Sequence, residues 1–280
     1  MSARRRQRES EISLLARGPG WVVVHKPAGL VTVRAREPDG GLSLLERARA
    51  SLELPTLQPV HRLDRDTSGC LLLSTDPDTH RALSIAFERR EVDKRYLAWV
   101  RGVPPREAGE IDLPLERDPR GGGRMRIATS GAARRRGKAA ARPAYTRWRR
   151  LVCFRSMALL ELVPHTGRQH QLRVHLRHVG HPLLVDPLYG SAEPLVLSSF
   201  KRGYRRSRRR ASEPPLLERT PLHAWKLSFR CPTSNRTVSV RAPLPADLRR
   251  LQRTLMRHAA PRPGPSSPRS RAVDAGKRVS

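Results

Sequence analysis

Residues 61–69 read His-Arg-Leu-Asp-Arg-Asp-Thr-Ser-Gly and carry the side chains best suited to chemistry. One carboxylate, Asp64, stands between Arg62 and Arg65, and Thr67-Ser68-Gly69 follows as a turn. A carboxylate held among fixed cations is charged and aimed. That suits a nucleophile or general base directed at a negatively charged polymer. A single Asp in a turn is more simply a structural salt-bridge partner, so the surrounding residues must decide. Asp66-Thr67-Ser68-Gly69 also matches the Asp-Thr/Ser-Gly pattern of aspartic proteases. Those need two carboxylates sharing a proton, and this chain has one copy of the pattern.

The second polar constellation is Thr166-Gly-Arg-Gln-His-Gln-Leu-Arg-Val-His175. Thr166 and Gln169 form a capping-box pattern that predicts a helix start and puts Arg168 in its first turn. Leu172, Leu176 and Val179 give the apolar stripe, and Gly180 and Pro182 end the helix. His165, His170, His175, His178 and His181 crowd the same stretch. Zinc needs converging ligands, yet the chain lacks HExxH and any CxxC pair. On a helix, positions 170 and 175 point about 140° apart. The histidines are read as facing that polymer or structural, with no metal.

Several elements must hold these residues. Trp21–His25 is β-branched and short, a buried strand, and runs into a turn at Lys26-Pro27-Ala28-Gly29. Leu42–Leu52 has helical spacing, Cys70–Ser74 reads as a strand, and His80–Arg90 as a helix with Leu83, Ala86 and Phe87 on one face. Tyr96, Ala98 and Val100 alternate on one side of a strand, and Trp148–Val163 is again strand-like. Residues 117–138 hold eight Lys/Arg and many Gly, a basic loop or hairpin; residues 201–210 hold seven Lys/Arg and read as a surface loop. Residues 1–11 and 258–280 read as disordered tails, leaving one domain over 12–257.

The formal charge is +31; the two tails carry +2 and +4 of it, leaving +25 on residues 12–257. A body so basic repels itself unless it meets a polyanion, which makes nucleic acid the expected partner. The plainer source is composition, since Arg outnumbers Lys fifty to six. Three dispersed cysteines exclude a disulfide framework, and no apolar run reaches the roughly 18 residues of a membrane span. The reading is a cytoplasmic protein without a membrane partner. A DNA-binding regulator has no support from any helix-turn-helix or zinc-finger pattern.

The quoted segments resemble the RluA-type family of RNA pseudouridine synthases. His61–Gly69 is similar to its HRLDxxTSG element, Lys94–Gly102 to its KxYxAxVxG strand, Thr166–Leu176 to its TGRxHQLRxHL element and Lys26–Leu30 to its KPAGL turn. His181–Gly190 and His223–Pro245 resemble later elements, so the likeness spans about residues 20–252. Val185, where the family has Gly, and Pro143-Ala144, where it has Ala-x-Thr, depart from it. The resemblance implies an α+β fold with a mixed, mainly antiparallel sheet, flanking helices and a basic central cleft. The small N-terminal RNA-binding domain of many members is expected to be absent.

The resemblance further implies isomerisation of uridine in ribosomal or transfer RNA, without a cofactor and without an obligate protein partner, as a monomer. Uracil leaves C1′ of the ribose, rotates and rejoins through C5, and the base must first leave its stack. Asp64 takes the catalytic aspartate's place, as nucleophile or as base at the sugar. Tyr96 supplies a stacking face and a hydroxyl, and Arg168 is expected to pair with Asp64. Arg62 is assigned to the vacated stack or the flipped nucleotide's backbone, His61 and Lys26 to the RNA, and Leu183 to the pocket wall. The alternative is a non-catalytic RNA-binding or ribosome-associated relative with the same fold.

Overall fold

The structure, a computed structural model, describes residues 12–34, 41–128, 141–201, 203–205 and 212–259. Strands β1 (Ser13–Gly18) and β2 (Trp21–Lys26) form a hairpin. Helix α1 (Leu44–Ser51) begins at a capping box, with Ser43 N–H donating to Glu46 Oε2 at 2.7 Å and Glu46 N–H to Ser43 Oγ at 3.3 Å. After the short β3 (Gln58–Pro59) comes β4 (Ser68–Ser74), buried along its whole length. Helix α2 (Pro77–Glu88) starts three residues before the expected His80. Asp76 caps it by accepting Thr79 N–H at 2.8 Å, and Pro77 suits the first helical position.

The chain continues through β5 (Asp93–Arg101), β6 (Ala108–Asp112), a separate hairpin of β7 (Leu115–Arg117) and β8 (Met125–Ile127), β9 (Tyr145–Cys153) and β10 (Met157–Pro164). Helix α3 (Gln171–His178), β11 (Leu222–Arg230), β12 (Thr237–Arg241) and helix α4 (Ala246–His258) complete it. The basic segment 117–138 is thus a hairpin as far as residue 127, and its part from 129 lies outside the described residues. Most of 201–210, and the expected tails apart from residues 258 and 259, lie outside them too.

The main sheet runs β1-β2-β4-β11-β5-β10-β9-β6, with β12 on β11 and β3 on β4. All of its pairings are antiparallel except β11 with β4. The expected mixed, mainly antiparallel α+β architecture is therefore present. Strand alternation divides the core between two faces. Val22, Val24, Leu71 and Leu73 pack on α1 through Leu44, Leu45 and Ala48. Trp21, Val23 and Leu72 turn to the other face with Leu83 of α2. Ala98, Val100, Leu160 and Leu162 meet Leu172 and Leu176 of α3, and Trp99 and Leu159 meet Leu248, Leu251 and Leu255 of α4. Tyr96 touches both the α1 cluster and the α3 cluster, so it sits where two halves of one face meet.

Candidate active site

Sheet register brings the two motifs together. Ala224 of β11 pairs with Gly69 on one side and Tyr96 on the other. Gly69 has φ 122°, and a Cβ there would lie 2.2 Å from the Ala224 carbonyl oxygen, so only glycine lets the strands approach. Leu162 of β10 stands opposite Tyr96, and the chain leaves β10 at Pro164 directly for residues 165–170 and α3. Residues 62–64, Tyr96, Thr166–Arg168 and the start of α3 line one cavity.

The loop bearing Asp64 is held at nearly every residue. Leu63 N–H donates to Thr32 Oγ1 at 3.2 Å, and that hydroxyl donates back to the Leu63 carbonyl at 3.0 Å. Thr67 N–H closes a turn on the Asp64 carbonyl at 3.1 Å. Lys26 Nζ donates to the carbonyls of Pro27, Leu30 and Arg65 at 2.9, 2.6 and 2.8 Å. Arg219 donates from Nη1 to the Asp66 carbonyl at 3.2 Å and is itself gripped by Asp247 at 2.6 and 3.1 Å. Buried Lys26 and half-buried Arg219 therefore satisfy carbonyls in the turn that aims the carboxylate.

The ion pair of Asp64 is with Arg173, whose Nη1 lies 3.8 Å from Oδ2. Arg173 is nearly buried, and Asp186, at 1% exposure, grips it in a fork from Nε and Nη2 at 2.8 and 2.6 Å. Asp186 Oδ1 also accepts the N–H groups of Leu188 and Tyr189 at 3.0 and 3.1 Å. The Tyr189 ring lies 5.0 Å from the guanidinium carbon. The side chain of Asp64 keeps 30% exposure and so opens onto the cavity. Burial, followed by the nearby Asp64 charge, pushes the Tyr96 phenol well above its ordinary range. The Tyr96 hydroxyl is therefore held neutral.

Arg168 is a correction. It lines the cavity, but its Nε donates to the Pro143 carbonyl at 3.1 Å, and Arg173 makes the contact with Asp64. The expected helix start explains the displacement. Thr166 Oγ1 accepts Tyr145 N–H at 3.0 Å and donates to Gln171 Oε1 at 2.7 Å, so it joins β9 to α3 instead of capping a helix. His170 adopts φ 53°, and α3 begins only at Gln171. Arg168 thus lies in the loop and Arg173 in the first turn.

Three assignments to RNA or the pocket wall also change. Lys26 has 0% exposure and all its donors on backbone carbonyls, so it cannot reach RNA. His61 accepts Leu72 N–H on Nε2 at 3.1 Å and stacks on Phe87 at 4.7 Å; burial pushes it down to about 3, so it is neutral and engaged with the protein. Leu183 is core, bridging Val100 and packed among Ala98, Leu160 and Leu176. Arg62 is exposed on the cavity wall. Val185 and Ala144 are wholly buried, and Leu115 pairs with Arg142 beside Ala144, so both departures are accommodated.

Three of the five clustered histidines have separate hydrogen-bond partners. His170 Nδ1 shares a hydrogen bond with Tyr189 Oη at 2.8 Å, His175 bonds Thr146 Oγ1 and the Leu113 carbonyl at 3.0 Å each, and His181 meets the Arg101 carbonyl at 3.1 Å. Sequence reasoning missed Arg173, Asp186 and Arg219. The second arginine of Thr166–His175 and the Asp186-Pro187-Leu188-Tyr189 turn were the signals available.

The RNA pseudouridylate synthase family model matches residues 20–178. The chain is 40% identical over 241 residues to an uncharacterized RNA pseudouridine synthase of Chloroflexus aurantiacus, covering 84% of this chain and 67% of that protein. It is 35% identical over 248 residues to the ribosomal large subunit pseudouridine synthase D of Xanthomonas campestris pv. campestris, covering 85% and 68%. Human RNA pseudouridylate synthase domain containing 4 superposes with a TM-score of 0.62 at 28% identity, over 86% of this chain and 93% of that one. The family pattern runs through the segments that converge on Asp64, and the chain belongs to the RNA pseudouridylate synthase family as an RNA pseudouridine synthase.

Proposed function

We propose that this synthase isomerises uridine in ribosomal RNA, with Asp64 as its catalytic residue, Tyr96 against the flipped base and Arg173 as the cation that aims Asp64. The observation that carries the reading is the Asp64 carboxylate facing buried, forked Arg173 inside a cavity walled by Tyr96. Asp64 acts at the sugar end of the target nucleotide, as nucleophile or as base. The base reaches the cavity only after flipping, which takes a few kcal/mol of unstacking. Arg62, exposed on the wall, is placed to hold the opened strand. Arg168 belongs to the binding surface. Ribosomal RNA is favoured by the relative of that function in Xanthomonas. We place the protein in the cytoplasm as a monomer.

Tritium release from 5-³H-uridine ribosomal RNA tests the activity, and pseudouridine mapping of total RNA from a deletion strain finds the target. Loss of a ribosomal pseudouridine is expected. A missing transfer RNA site would reassign the substrate, and no tritium release from any RNA would favour the non-catalytic alternative.

A further inference from the structure

We propose that a second cavity, between the β7–β8 hairpin and the last turn of α3, binds a phosphodiester group of the RNA beyond the target nucleotide. This rests on the reading of the chain as an RNA-modifying enzyme. The cavity holds about 290 Å³ and shares no lining residue with the one around Asp64.

Arg120, Arg124 and Arg126 enter it from the hairpin, and Arg177 and His178 from α3. Two of the arginines are already neutralised. Arg120 Nε lies 3.2 Å from Asp118 Oδ1, and Arg126 Nη2 lies 2.7 Å from Glu116 Oε1. Among the described residues, Arg124 and Arg177 have no ion pair. Cations at a helix C-terminus favour the helix dipole, and this accounts for Arg177 and His178. It does not account for Arg124, which comes from a different element to the same space. Asp118 also lines the cavity but is taken up by Arg120, so the guanidinium groups of Arg124 and Arg177, from separate elements, are left there without a counter-ion among the described residues. Their N–H forks match the paired oxygens of a phosphodiester, and a chain of net charge +31 draws polyanions to this surface.

The cavity also touches the catalytic side. Tyr189 lines it, accepts Met125 N–H of the hairpin at 2.7 Å and shares a hydrogen bond with His170 Nδ1 at 2.8 Å. The same ring lies 5.0 Å from the guanidinium carbon of Arg173. A phosphate held between Arg124 and Arg177 would clamp the hairpin onto α3 and keep Tyr189 against the arginine that faces Asp64.

The test is filter binding of in vitro transcribed ribosomal RNA to the full chain at several potassium chloride concentrations. The double variant Arg124→Gln/Arg177→Gln is compared with the wild type and with Arg253→Gln/Arg257→Gln, which removes the same charge from the exposed face of α4. The proposal expects roughly ten-fold or greater loss of affinity in the first variant only. Its slope of log affinity against log salt should fall by about 1, since each phosphate contact contributes roughly 0.7–0.9. Wild-type affinity in Arg124→Gln/Arg177→Gln, or equal losses in both variants, would overturn the site. Tritium release by the wild type is scored separately. Its absence sinks the underlying reading, whereas release with unchanged affinity in the variant sinks only this site.

Discussion

Arg173 faces Asp64 across 3.8 Å while Asp186 holds its other edge at 2.6 and 2.8 Å. The two carboxylates have different tasks. Asp186 is buried and fixes the guanidinium, with two backbone N–H groups fixing Asp186 in turn. Asp64 is left partly exposed on the cavity, with its backbone pinned and its charge opposite a cation that cannot turn away.

The fork makes Arg173 hard to replace. Lysine keeps the charge but cannot bond both oxygens of Asp186 while reaching Asp64. Arg173→Lys is predicted to lower kcat by about a hundred-fold or more, the scale of a misplacement near 1 Å. Arg168→Gln should instead raise KM and leave kcat within a few-fold. Steady-state tritium release separates the two, and the opposite pattern would hand the pairing role to Arg168.

Asp186→Asn should leave a buried guanidinium without its counter-charge. Breaking a buried pair from one side costs about 3–5 kcal/mol. Urea denaturation of the variant is predicted to show a loss of that size. A loss under about 1 kcal/mol would mean that Arg173 finds another anchor.

Lys26 ties stability to pH. Burial pushes it down to about 7, against the opposing charges of Asp66 and Asp64. The unfolded chain holds the same proton up to about pH 10.4. Between those values the unfolded state binds more protons, so the unfolding free energy rises with pH through the window, by up to about 1.4 kcal/mol per unit. Below about pH 7 both states carry the charge, and the penalty of burying it is full. Lys26→Met removes this titration, so its own stability carries no contribution from residue 26 that changes with pH. The stability of the wild type relative to Lys26→Met should therefore climb from about pH 7 to pH 10; a flat difference would contradict the buried, depressed lysine.

Local patterns carried much of this structure into view. The β-branched run Trp21–His25 and the alternation of Tyr96, Ala98 and Val100 mark strands, and the arginines beside Asp64 single out its carboxylate. What stayed hidden was non-local. Thr166 looks like a helix cap until the Tyr145 N–H that occupies it is known; the helix begins later, and Arg173 in place of Arg168 meets Asp64. Lys26 and His61 look like RNA contacts because neither the burial of Lys26 nor the bond of His61 to Leu72 is written in a short motif. Asp186 lies thirteen residues beyond Arg173, past the end of its helix, where no helical spacing pairs them.

Asp64→Asn tests the central claim most directly, because it keeps the size of the side chain and removes its charge. Tritium release and ribosomal RNA affinity are measured on the same preparation. The account predicts affinity within a few-fold of wild type and no detectable pseudouridine formation. Release at a rate near the wild type would show that Asp64 is not the residue that acts on the nucleotide.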